Sequence, residues 1–187
     1  MERLHLSWED LLQLVRRLAE ALSGEPFDLV LGVARGGLIP TALLAQALGA
    51  RNILTAAVMF YEGEEALPEP VFLQFPPDVL LFGKRVLVVE GVWDSRRTAF
   101  AVKARVRRAG GVPVVATLHF KPGRNRVQDR PDFYAEETAA WVVYPWALEA
   151  WPKGSYPSGC LRPTGPGKLP RELLPGPPCW RSQHGVV

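Results

Sequence analysis

Three short runs of this chain gather residue types able to handle phosphate and sugar groups. The first is VLVVEGVWDSRRT, Val86–Thr98. Its continuous apolar start reads as a strand buried on both faces. Such a strand delivers Glu90 at its C-terminal end, where open α/β sheets place their ligands. Asp94, Ser95, Arg96, Arg97 and Thr98 follow in a short loop that opens a helix. Unpaired N–H groups at a helix start, beside hydroxyls and guanidinium groups, make a phosphate cradle. A carboxylate one loop away suits sugar hydroxyls or a magnesium ion. By residue type alone, the same run also fits a plain strand-to-helix connection with Asp94 as its N-cap.

The second run is VARGGLIP, Val33–Pro40. Two glycines after a strand permit a tight turn whose N–H groups converge on an anion, and Arg35 adds charge. A simple glycine turn with a solvated arginine fits equally. The third run begins at HFKPGR and ends in WVVYPW. Lys121 follows a buried strand, where a cation can reach the rim of a site, and Trp141 opens a short apolar run. Read blandly, Trp141 is core and Lys121 is surface. His119 lies within the strand with no visible partner and reads as structural.

These runs need a scaffold, and the intervening patterns supply one. Residues 7–22 form an amphipathic helix, with Ser7 as cap and Asp10 as its capping-box partner. Trp8, Leu11, Leu12, Val15, Leu18, Ala19 and Leu22 share its apolar face. A buried strand spans Phe27–Val33, and a helix follows at about Pro40–Leu48, stopped by Gly49. A strand at Ile53–Phe60 leads into an acidic loop, Tyr61–Glu69, with short strands expected at Val71–Gln74 and Val79–Phe82. Then come a strand at Arg85–Glu90, a helix at Thr98–Ala109 and a strand at Val112–Phe120. Alternating strands and helices predict an α/β protein with an open, mostly parallel twisted sheet and helices on both faces.

Composition bounds the function. The chain has 187 residues and a net charge of +3. Residues 1–149 carry 17 basic and 18 acidic side chains, so the excess of positive charge belongs to residues 150–187. A near-neutral body gives no nucleic-acid footprint. No stretch is long and apolar enough for a membrane span, and the first residues lack a signal-peptide layout, so the expected location is the cytoplasm. Residues 150–187 hold eight of the 18 prolines and six of the 17 glycines. Such a segment reads as an extended or disordered tail, separate from the domain at 1–149. The two cysteines both fall in that tail and have no metal-ligand spacing.

The first run resembles the phosphoribosyl pyrophosphate-binding motif of type I phosphoribosyltransferases: apolar strand, two acids, two apolar residues, then Asp-Thr/Ser-Gly-Arg-Thr. The match implies that Glu90 holds ribose hydroxyls and a metal, and that Asp94 lies near the reacting base. Ser95, Arg96, Arg97 and Thr98 would surround the 5′-phosphate. The second run resembles the family's pyrophosphate loop, assigning Arg35, Gly36 and Gly37 to pyrophosphate. The third is similar to the purine site of bacterial xanthine–guanine and hypoxanthine phosphoribosyltransferases. There Lys121 would meet the purine 6-oxygen, Trp141 would stack on the ring, and the Val142 backbone would read the base edge.

What the resemblance implies is the type I phosphoribosyltransferase fold, with a small hood built from the N-terminal segment and about 121–149. It further implies purine salvage with Mg2+, phosphoribosyl pyrophosphate and a purine base as ligands, and a homo-oligomer. The acidic loop at 61–69 would correspond to the family's flap. Three positions depart from the pattern: Gly91 replaces the second acid, Arg96 replaces a loop glycine, and Ala147 replaces an acid after Pro-Trp. These departures favour an alternative in which the same fold binds a nucleotide or phosphoribosyl pyrophosphate as a regulator. Restoring an acid at 91 and glycine at 96 is expected to raise activity if they are what limits it.

Overall fold

A computed structural model describes residues 2–62, 65–94, 98–124 and 129–147, with the backbone alone at 60–62, 65–69 and 124. The chain divides into two units, Met1–Pro145 and Trp146–Val187. All elements below belong to the first. The tail expected at 150–187 lies outside the described residues.

In chain order the elements are β1 (Arg3–His5), α1 (Trp8–Ala21), β2 (Leu29–Ala34), α2 (Leu38–Ala47), β3 (Ile53–Glu62) and β4 (Glu65–Gln74). Then come β5 (Arg85–Trp93), α3 (Thr98–Arg108), β6 (Val112–Phe120), β7 (Phe133–Glu137) and β8 (Trp141–Val143). The main sheet has six strands in the order β4-β3-β2-β5-β6-β7, parallel except for the β3–β4 pair. From β2 the chain continues outward to β3, and from β5 it continues to β6 on the other side. The sheet therefore has its topological switch point between β2 and β5, where such folds open a ligand crevice.

Strand alternation divides the core. Leu31, Val33, Val86 and Val88 pack in one cluster with Ala99, Val102 and Val106 of α3. On the opposite face Gly32 lies under Thr41 of α2, where an added Cβ would stand 2.7 Å from the Thr41 hydroxyl. Helices thus cover both faces, as the alternating pattern predicted.

Helix α1 starts as read: Ser7 Oγ accepts from the Asp10 N–H at 3.1 Å, and Asp10 accepts from the Ser7 N–H at 2.8 Å. Ser7→Ala should lower stability by about 1 kcal/mol, measured as a shifted urea midpoint with unchanged slope. Leu11, Leu14, Val15 and Leu18 form the buried stripe. Trp8, expected on that face, is 53% exposed because it begins the first turn, beyond the sheet contact.

Two expectations fail outright. Of the loop expected at Tyr61–Glu69, residues 61–62 extend β3 and residues 65–69 belong to β4, while residues 63–64 lie outside the described residues. Val79–Phe82 is no strand: Asp78–Leu80 is a 3-10 turn, and Val79 and Phe82 are 79% and 74% exposed. A separate parallel pair joins β1 to β8, with Arg3, Leu4 and His5 opposite Trp141, Val142 and Val143.

Candidate functional site

Strand β5 runs on to Trp93, so Glu90 sits three residues inside its end rather than at it. Asp94 follows at the bend, and Thr98 begins α3. Ser95, Arg96 and Arg97 lie outside the described residues. Glu90 retains some surface access, and its Oε1 accepts the Gly91 N–H at 2.9 Å. Loss of hydration pushes the Glu90 carboxyl up to about 7, and the nearby Asp94 charge adds to the rise while the Gly91 N–H opposes it. Two carboxyl groups thus lie within electrostatic reach of each other at the C-terminal side of β5.

The Arg35–Gly36–Gly37 turn approaches from β2. Arg35 is exposed and Gly37 is buried. The Gly37 N–H donates to Val33 O at 2.8 Å, and Gly37 O accepts from Thr41 N–H at 2.9 Å. Neither glycine has positive φ, so what each excludes is a matter of space. A Cβ on Gly37 would come within 2.3 Å of Val89 O and 2.7 Å of Val33 O. On Gly36 it would come within 2.9 Å of Glu90 Oε1. The turn therefore lies directly against the Glu90 carboxylate, which joins the first two runs into one site. With its N–H committed inside the turn, Gly37 acts through close packing, while Arg35 is exposed and Gly36 partly so.

Beside them, β6 ends at Phe120, and the buried Lys121 donates its N–H to Trp93 O at 2.9 Å. Its ammonium lies 5.7 Å from the centre of the Trp141 ring, within cation–π range. Trp141 is 41% exposed, leaving ring surface for a flat ligand. Trp141 N–H donates to Glu2 O, and Val142 pairs with Leu4, so β1 holds this strand in place. A cavity of about 400 Å³ opens next to Lys121, lined also by Pro122, Gly123, Glu137, Thr138 and Ala139.

Tyr144 escaped the sequence reading, and His119, read there as structural, has a partner that the sequence did not show. His119 is fully buried, and its Nδ1 lies 2.8 Å from the Tyr144 hydroxyl. That hydroxyl donates to Gly91 O at 2.8 Å. A carbonyl can only accept, so the single phenolic proton points to Gly91 and His119 must carry its proton on Nδ1. Burial, with the Lys121 charge, drops the His119 imidazole to about 4, keeping it neutral. Burial first, and then Glu90, raises the Tyr144 phenol well above its ordinary range. The available signal was the placement of a histidine in an apolar strand, because buried polar groups take partners. Its partner lies 25 residues away, beyond any local pattern.

The same contacts alter the reading of Gly91. A Cβ there would stand 3.1 Å from Gly36 O and 3.7 Å from the Tyr144 ring. A side chain at 91 would require the Gly36 carbonyl to give by a few tenths of an ångström and would rest in ordinary contact with the Tyr144 ring.

Comparison with known proteins is specific. A scan against models of protein families finds no match. Individual proteins do match. The chain is 33% identical over 147 residues to the xanthine-guanine phosphoribosyltransferase of Gluconobacter oxydans, covering 75% of this chain and 82% of that enzyme. A purine phosphoribosyltransferase from Pyrococcus horikoshii superposes with a TM-score of 0.68 at 35% identity, covering 78% of this chain and 95% of that one. A Neisseria gonorrhoeae protein solved with bound ppGpp gives a TM-score of 0.65 at 26% identity, over 79% of this chain and 91% of its own. With an acid-bearing strand and a glycine turn meeting at the switch point, a lysine–tryptophan pair beyond the adjacent strand, and this identity across most of both chains, the protein belongs to the purine phosphoribosyltransferase family of type I phosphoribosyltransferases.

Proposed function

We propose that this protein transfers the 5-phosphoribosyl group of phosphoribosyl pyrophosphate to a ring nitrogen of a 6-oxopurine, releasing pyrophosphate. The observation that carries this reading is the Gly36 turn set against Glu90 at the C-terminal side of the central strands β2 and β5, with the Lys121–Trp141 pair following β6, the next strand of the sheet. A bond forms between the purine nitrogen and C1 of the ribose as the C1–pyrophosphate bond breaks. Positive charge builds on the ribose, so positioning and charge stabilisation dominate the task.

Glu90 orients the ribose hydroxyls, and Asp94 handles the proton of the incoming base. Arg35 and the Gly36 backbone meet the pyrophosphate, while Thr98, with Ser95, Arg96 and Arg97, surrounds the 5′-phosphate. Trp141 stacks on the base, Lys121 meets the 6-oxygen, and the Val142 backbone reads the edge. The cavity beside Lys121 falls in the size range of small-molecule sites.

The donor set also fits magnesium in its usual mode. Among the described residues no group of three or more metal-ligating side chains forms. Glu90, with Asp94 nearby, matches an ion held by one or two carboxylates plus substrate phosphates. When bound, such an ion neutralises charge on the leaving pyrophosphate.

The test is nucleotide formation from guanine, xanthine or hypoxanthine with phosphoribosyl pyrophosphate and magnesium. No product with any of the three would sink the assignment. Trp141→Ala should raise KM for the base roughly tenfold, in line with the worth of one base–aromatic stack. A second reading has its own support. Gly91 removes the second acid, and the gonococcal relative was solved with ppGpp. A regulator binding a guanine nucleotide without turnover fits both, and calorimetry with ppGpp alongside the turnover assay separates the two.

A further inference from the structure

We propose that Tyr144, held by His119, is a positioning residue for Glu90 and takes over the restraint that a side chain at 91 would otherwise give the strand. This role rests on the transferase reading above. Its basis is the hydrogen-bond sequence His119 Nδ1–H to Tyr144 Oη, then Tyr144 O–H to Gly91 O, both at 2.8 Å.

Glycine is the most permissive backbone residue, and here it directly follows the acid of the site. Its N–H holds Glu90 Oε1 at 2.9 Å, so any freedom at Gly91 passes to the carboxylate. Two contacts limit that freedom. The Gly36 carbonyl and the Tyr144 ring both border the place where a Gly91 Cβ would stand, at 3.1 Å and 3.7 Å. The tyrosine then fixes the following carbonyl by a buried hydrogen bond.

Buried polar sequences of this kind rigidify only when each member is directed. His119 provides the direction: by donating to the phenol oxygen, it leaves the phenol proton no better target than Gly91 O. Tyr144 also directly follows β8, the strand that begins with Trp141. One hydroxyl therefore ties the strand that bears the base platform to the strand that bears the ribose acid.

The experiment is steady-state kinetics of Tyr144→Phe, which keeps the ring and removes the hydroxyl, run well below its melting temperature. We expect kcat to fall about tenfold and KM for phosphoribosyl pyrophosphate to rise, while KM for the purine stays within twofold. A role in stability alone would lower the melting temperature and leave kcat unchanged, and that result would overturn the proposal. If Tyr144→Phe does not fold, His119→Leu serves, because it suits the buried strand and removes the imidazole donor. A kcat loss of a few-fold supports the role, and wild-type kcat overturns it. Wild-type protein with no turnover on any base removes the transferase reading itself. Wild-type turnover with an unaffected Tyr144→Phe removes only the positioning role.

Discussion

Gly37→Ala is expected to leave little soluble protein, or protein whose melting temperature is lowered by 10 °C or more, with no measurable turnover. The added Cβ would fall 2.3 Å from Val89 O, 2.7 Å from Val33 O and 3.0 Å from Val33 N. All three are backbone atoms of β2 and β5, the two central strands, and they cannot swing aside as a side-chain tip can. Relief requires the start of α2 to lift off the sheet, which breaks the 2.8 Å bond from Gly37 N–H to Val33 O. Overpacking that moves backbone costs roughly 3 kcal/mol or more, a large share of a domain's stability. Gly36→Ala is the informative control. Among the described residues its Cβ would meet Glu90 Oε1, the end of a movable side chain, at 2.9 Å. That variant should fold and melt near wild type, yet lose activity because the carboxylate is displaced. Thermal unfolding of the two variants side by side decides the matter, and a well-folded Gly37→Ala would contradict the packing described for β2 and β5.

Glu90→Gln is expected to stabilise the protein in a pH-dependent way. In the unfolded chain the carboxyl titrates near 4.5, whereas burial holds it at about 7 in the folded protein. Between those values the folded state keeps a proton that the unfolded state has lost, so stability falls as pH rises through this window. Above it the full penalty is present, on the order of 3 kcal/mol. Glutamine preserves the acceptor for Gly91 N–H and never ionises. The variant should therefore melt up to about 10 °C above wild type near pH 8, with the difference vanishing near pH 4. Equal melting temperatures at high pH would show that Glu90 is well solvated. The same variant should lose most turnover, so the site accepts instability in exchange for a charged group that can meet sugar hydroxyls.

Much of this was legible in the sequence, because it depends on local pattern. Ser7 with Asp10, the unbroken apolar runs of β5 and β6, and the turn at Arg35–Gly37 declare themselves over a few residues. What failed depends on position in the sheet. Tyr61–Glu69 read as a loop because of its acidic run, and its proline fits no central ladder, which needs the N–H that proline lacks. Strand β4 is an edge strand, and there the missing donor is tolerated. Val79, Leu80 and Phe82 are apolar enough for a strand but lie outside the core, a case in which a short run carries no decisive period. In the site, the glycines of the turn were read as conformational devices, yet Gly37 is needed for the close approach of the turn to β2 and β5. The His119–Tyr144–Gly91 connection was invisible, because three residues far apart in sequence meet only after the sheet and β8 are in place.

The pairing of β1 with β8 bears on when the base platform exists. Residues 3–5 must find residues 141–143, so this contact closes a loop spanning nearly the whole first unit. During synthesis the sheet strands from β2 to β6 can assemble while Trp141 is still absent, and the platform is completed last. It is also a two-stranded sheet of three-residue strands, the kind of element with little stability of its own. Local opening is therefore expected to start there, at a free-energy cost well below that of global unfolding. A base that stacks on Trp141 would meet a platform already ordered only part of the time, and its measured affinity would include the work of closing it. Base binding and retention of the chain's first strand would then be two views of a single equilibrium.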